Sequence, residues 1–145
     1  MQILFVLLLV LTFPAFSQTP EDSVKKVITS FFTGMRNADT VHIRKALSLE
    51  VVFQIIKNKG VHSESVQEFL KSVSKNVPGS LDERIEFDIV KMDGDLASVW
   101  TPYRFYFNGK FSHCGVNSFQ LVRLQGVWKI QYIIDTRRKQ NCDPH

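Results

Sequence analysis

The stretch from Trp100 to Arg138 constrains the fold most. It reads as three long strands joined by two tight turns, Asn108-Gly109 and Gln125-Gly126. Asp93-Gly94 marks a third reversal just upstream. If each turn holds two residues, partners can be counted outward. Phe87 then faces Trp100 and Ile85 faces Pro102. Arg104 faces His113 and Trp100 faces Asn117. Phe119 faces Tyr132 and Leu121 faces Ile130. Opposed residues share a sheet face. One face thus gathers Ile85, Phe87, Ile89, Trp100, Phe119, Leu121, Trp128, Ile130, Tyr132 and Ile134, and is expected to be the core. A bulge would shift this phase, and Pro102 is the expected place for one. The opposite face is mixed: Glu86 and Asp88 at one edge, then Tyr103, Phe105, Phe107, Val116, Gln120, Gln131, Ile133 and Asp135. Its aromatics suggest a surface for a second subunit, hence a homodimer through the outer sheet face.

The first half is helical. Thr19-Pro20-Glu21-Asp22 is a helix start with N-cap, proline and acids in order. Val24, Val27, Ile28, Phe31, Phe32 and Met35 then form one apolar stripe. Asp39 or Thr40 caps a short second helix through Ile43, Ala46 and Leu47. Leu49–Ile56 reads as a strand and Asn58-Lys59-Gly60 as a turn. Ser65-Val66-Gln67-Glu68 is a capping box opening a third helix that buries Val66, Phe69, Leu70 and Val73.

Residues 3–13 are apolar apart from Thr12 and too short for a bilayer, which needs ~20 residues. Ala15 and Ser17 suit signal peptidase. Residues 1–17 are therefore expected to be a signal peptide and residues 18–145 one exported domain, periplasmic or secreted, with no membrane attachment after cleavage. Cys114 and Cys142 are the only cysteines. An oxidising compartment favours their pairing. The net charge of +4 is mild, and no nucleic-acid partner is expected. The scattered histidines give no metal site, and no cofactor motif is present.

Helix, short helix, strand, third helix and long antiparallel sheet is the order of the NTF2-like α+β cone. Trp100-Thr101-Pro102-Tyr103, Ser112-His113-Cys114-Gly115-Val116-Asn117, Trp128-Lys129-Ile130 and Asp135-Thr136-Arg137-Arg138 resemble exported bacterial NTF2-like proteins of the lumazine-binding-like kind. The resemblance implies three N-terminal helices on a curved antiparallel sheet with a cavity between. Polar groups on the core face would then matter most: Arg104, His113, Asn117, Thr136 and the Tyr132 hydroxyl. Arg104 and His113 would hold an anion. Asn117 beside Trp100 would fix the polar edge of a ring. Trp100, Arg104, His113, Asn117 and Tyr132 are the candidate ligand-binding residues.

The fold carries isomerases, dehydratases, cyclases and many proteins without known activity. Three functions stay open. One is non-catalytic binding of a small, anionic or aromatic molecule. Another is an enzyme with His113 as general acid or base. The third is a structural domain whose cavity is closed by Phe31, Phe32, Phe53 and Phe69. Proton-shifting enzymes of this fold use a cavity carboxylate. The expected core face offers none, which counts against an isomerase. A buried carboxylate near His113 would favour the enzyme.

Overall fold

A computed structural model describes residues 19–142. The expected signal peptide and its cleavage site lie outside these residues. Helix α1 (Pro20–Arg36) starts on the Thr19 capping box and buries Val24, Ile28, Phe31, Phe32 and Met35. Helix α2 (Thr40–Ala46) is capped by Asp39, whose carboxylate accepts from the His42 amide. A hairpin follows, β1 (Leu47–Lys57) and β2 (Gly60–Glu64). Helix α3 (Val66–Ser74) comes after that hairpin, with the Ser65 hydroxyl accepting from the Glu68 amide. Strands β3 (Leu81–Ile85), β4 (Ile89–Asp93), β5 (Leu96–Phe107), β6 (Lys110–Leu124) and β7 (Val127–Thr136) complete one sheet ordered β2-β1-β7-β6-β5-β3, with β4 also on β5.

The α+β class with three helices against one sheet agrees with the sequence. One detail differs: the sheet is mixed, because β1 runs parallel to β7, while the third helix follows a strand as the sequence order has it. The chain reaches β1 directly from α2, so its direction is set by the helical layer rather than by a hairpin with β7.

The register also needs correcting, at three places. The first reversal turns on Gly94-Asp95, so Ile89, not Phe87, faces Trp100, and Ile85 faces Tyr103. In β6 one extra residue, Ser112, is inserted: Tyr106 faces Phe111 but Phe105 faces His113. In β7 the extra residue is Gln131: Leu121 faces Ile130 as expected, but Gln120 faces Tyr132. An inserted residue turns every later side chain to the other face. The expected bulge at Pro102 is absent, and Pro102 pairs regularly with Val116.

The core face of the last strands is therefore Ala97, Val99, Thr101, Tyr103 and Phe105 on β5, with Asn117, Phe119, Leu121, Trp128, Ile130 and Ile133 beyond. Trp100 is 43% exposed on the opposite face, and Ile89 is 46% exposed. Phe31, Phe53 and Phe69 pack as one aromatic group, with centroids 5.3–6.1 Å apart, and Phe32 packs edge-on against Phe31 and Phe119.

Gly115 holds the end of this arrangement together. A Cβ there would collide with the Thr136 carbonyl and press on the Tyr103 ring. Its absence lets Tyr103 lie across β6 and donate to the Thr136 carbonyl at 2.9 Å. Gly115→Ala is expected to cost about 1–3 kcal/mol, read as a lower urea midpoint. An unchanged midpoint would mean that β6 and β7 are not held so close.

Candidate functional site in the cone

The two inserted residues decide which polar groups enter the space between helices and sheet. Beyond Ser112 they bring in His113 and Asn117; beyond Gln131 they bring in Asp135 and Arg137. Strand β3 supplies Glu83, opposite Phe105, and β5 supplies Tyr103. A pocket of about 70 Å³ lies among these groups and the phenylalanines of α1, β1 and α3. It adjoins a groove of about 460 Å³, walled by Ser63, Glu64, Glu68, Phe69, Leu81 and Phe105 among others. Pocket and groove share Met35, Glu64, Phe69, Glu83, His113 and Arg137. The groove is of the size that small-molecule sites have. The phenylalanines expected to plug a closed cavity crowd the inner pocket, while the groove outside it is roomy.

Glu83 is the centre of the electrostatics. Asn117 donates to one of its oxygens at 2.8 Å and also lies 3.4 Å from the Thr101 hydroxyl. Burial pushes the Glu83 carboxyl up to about 7; the Asn117 hydrogen bond opposes this and the Asp135 charge adds to it. Asp135 is ion-paired, accepting from Arg137 Nε at 2.9 Å. A second Arg137 nitrogen stands 3.8 Å from Glu64. Burial works against the Arg137 charge, but the Asp135 hydrogen bond and the two carboxylates outweigh it and raise its pKa. Burial, then the Glu83 and Asp135 charges, raises the Tyr103 phenol, so it stays protonated. Its one proton is shared between the Thr136 carbonyl at 2.9 Å and Asp135 at 3.3 Å.

His113 sits between the Tyr103 and Phe105 rings, with Nδ1 3.0 Å from the Ser112 hydroxyl. Burial and the Arg137 charge lower its pKa, favouring the neutral ring. A neutral imidazole, a carboxyl near half-ionisation at neutral pH and a buried amide can orient a hydrogen-bonding ligand. Glu83 can also give or take a proton.

Of the five candidate ligand-binding residues, His113 and Asn117 line the pocket. The other three lie on the outer face, because their strands are out of the expected phase. Trp100 faces Ser118, not Asn117. Tyr132 donates to Gln54 at 2.6 Å. Arg104 faces Cys114 and donates to the Cys142 carbonyl at 3.1 Å. The expected Arg104–His113 anion grip is therefore not formed. The expectation of no core-face carboxylate is also overturned, by Glu83 and Asp135. Glu83 had a legible signal: in Leu81-Asp82-Glu83-Arg84-Ile85 it shares a face with two apolar residues. Asp135 is expected on the outer face, and the residue inserted at Gln131 turns it, with its face-mate Arg137, inward.

The disulfide is formed as expected, Cys114 to Cys142, with Cα atoms 5.7 Å apart. It folds the tail back beyond β7. The Arg138 and Cys114 backbones exchange two hydrogen bonds of 2.8 Å, which continues the ladder past Arg137. Among the described residues no group of acids, histidines and cysteines is placed to hold a metal ion, and no helix is long and apolar enough to cross a membrane.

Solved structures of the same fold are numerous. An NTF2-like protein of unknown function from Shewanella baltica is 14% identical, covering 81% of this chain and 93% of its own, with a TM-score of 0.66. A protein of unknown function with a cystatin-like fold from Nostoc punctiforme is 10% identical, covering 86% of this chain and 97% of its own, at 0.69. A structure described as a putative ketosteroid isomerase, from Shewanella frigidimarina, is 17% identical, covering 78% of this chain and 94% of its own, at 0.59. At these identities the likeness shows the fold alone. A search of curated proteins found no match. The family described as Putative lumazine-binding matches residues 19–132. With that match over most of its length, the chain belongs to the Putative lumazine-binding family, and its fold is the one these NTF2-like neighbours have.

Proposed function

We propose that the chain is an exported binding domain that takes a small molecule into the mouth of its cone. The observation that carries this is the groove of about 460 Å³ whose inner wall is Glu83 and His113. Aromatic and aliphatic walls bury the body of a ligand, and a few convergent polar groups orient it. The Cys114–Cys142 disulfide supports export, since such bonds persist in oxidising compartments. The outer sheet face, with Trp100, Val52 and Ile56 each more than 40% exposed, supports a homodimer; a monomer in sedimentation would remove that part.

A second reading is favoured by one observation, the Glu83 carboxyl raised to about 7. A base of that strength suits proton transfer at neutral pH. The Tyr103 hydroxyl, however, is already committed to Thr136 and Asp135. A substrate oxygen would have to take its proton from His113 or displace one of those bonds. Binding without catalysis needs no such exchange and is the reading preferred.

Adding a set of small aromatic heterocycles to isotope-labelled protein tests the proposal. Amide shifts are expected at Glu83, His113, Asn117 and Asp135. Shifts confined to the outer face around Trp100 and Tyr132, or none, would contradict it.

A further inference from the structure

Resting on the reading of the cone as a binding site, we propose that its ligand is an organic cation, a protonated amine or amidinium carried on an aromatic or apolar body. The chain as a whole is basic, at +4. Its pocket and groove are the reverse. Their walls hold Glu64, Glu68, Glu83 and Asp135 against one guanidinium, Arg137. That guanidinium already serves two of these acids, at 2.9 Å to Asp135 and 3.8 Å to Glu64. Lys139 is near enough to lower the His113 pKa but is not part of the wall. His113 itself favours the neutral form.

An anion entering this space would meet Glu83 and Glu68, which Arg137 does not pair, and no cation free of a carboxylate partner in the wall. A cation would meet Glu83, whose one hydrogen-bond donor among the described residues is the neutral amide of Asn117, with Glu68 at the exposed rim. Burial makes an isolated Glu83 charge unfavourable, and an opposite charge placed beside it removes that penalty. The walls also supply rings, Phe69, Phe105 and Tyr103, of the kind that attract ammonium and guanidinium groups. The anionic ligand expected from an Arg104–His113 pair is thereby replaced by its opposite.

The test uses three probes with a common indole body: tryptamine, the neutral indole-3-ethanol, and the anionic indole-3-propionate. Each is titrated calorimetrically into the disulfide-bonded protein at neutral pH and low salt. Tryptamine is expected to bind about tenfold or more tightly than indole-3-propionate, with the alcohol between, as one favourable charge contact gives. Glu83→Gln should lower tryptamine affinity several-fold and affinity for the alcohol by much less. Glu64→Gln, at the partly exposed edge, is the second variant should Glu83→Gln not fold. Equal affinities, or a preference for the anion, would overturn the cation assignment and leave the cone as a binding site. Equal loss of tryptamine and alcohol in the variants would also overturn it. Binding of none of the three would overturn both proposals.

Discussion

Glu83→Gln is expected to stabilise the protein above neutral pH by up to about 3 kcal/mol and to change little in acid. The sign follows from which state holds the proton. In the unfolded chain Glu83 releases its proton near 4.5; in the folded protein it holds it to about 7. Below 4.5 both states are protonated and the group is neutral to stability. Between 4.5 and about 7 the folded state binds more protons, so stability falls as pH rises. Above that range the full cost of a buried charge is present. Glutamine keeps an oxygen for Asn117 and cannot ionise. Two and a half pH units correspond to about 3 kcal/mol, an upper bound, because Glu83 is only half-buried beside the groove. His113 works in the opposite direction, since its lowered pKa disfavours the folded state as the ring protonates. The difference between wild type and variant, followed by urea unfolding across pH, isolates Glu83. A constant difference across the range would place the carboxyl in water.

Removing the disulfide is expected to cost about 3–4 kcal/mol, on the chain-entropy account for a loop of 28 residues. Cys114 is 1% exposed and anchors the tail from inside the sheet. The tail in turn gives its Cys142 carbonyl to Arg104, and Arg138 extends the ladder beside Arg137. Cys142→Ser should therefore lower the urea midpoint and speed amide exchange at Arg138, while Ile130 exchanges only with global unfolding. The same effects are expected when reductant is added to the wild type. An unchanged midpoint would show that the tail is not clamped.

The helices were legible because their caps and apolar stripes are local: Thr19, Asp39 and Ser65 each start a helix where their chemistry predicts. The hairpin tips at Asn108 and Gln125 were legible for the same reason, both having positive φ. The inserted Ser112 and Gln131 were not. Neither is a glycine or a proline, and nothing local marks the extra residue. Periodicity could not reveal the slip either. Both phases of β5 are apolar, Trp100 and Pro102 on one side, Val99, Thr101, Tyr103 and Phe105 on the other. Counting outward from the turns was therefore right next to Gln125 and wrong beyond Gln131. The site paid for that error most, since Tyr103, Asp135 and Arg137 lie past the slips.

The parallel pairing of β1 with β7 was hidden for a different reason. It joins residues some eighty positions apart, Phe53 with Ile133 for example, and no turn sequence encodes it. Glu83 lies in phase with Leu81 and Ile85, but its partner Phe105 is some twenty positions away and no tight turn joins β3 to β5 to fix that pairing.

The chemistry of the cone depends on one glutamate lying inside it. Carbon-detected NMR of glutamate-labelled protein, with Glu83 assigned from the Glu83→Gln spectrum, follows that carboxyl directly. Its midpoint is expected near 7, well apart from the exposed glutamates. A midpoint of about 4–5, within the ordinary glutamate range, would put Glu83 in solvent and contradict the site.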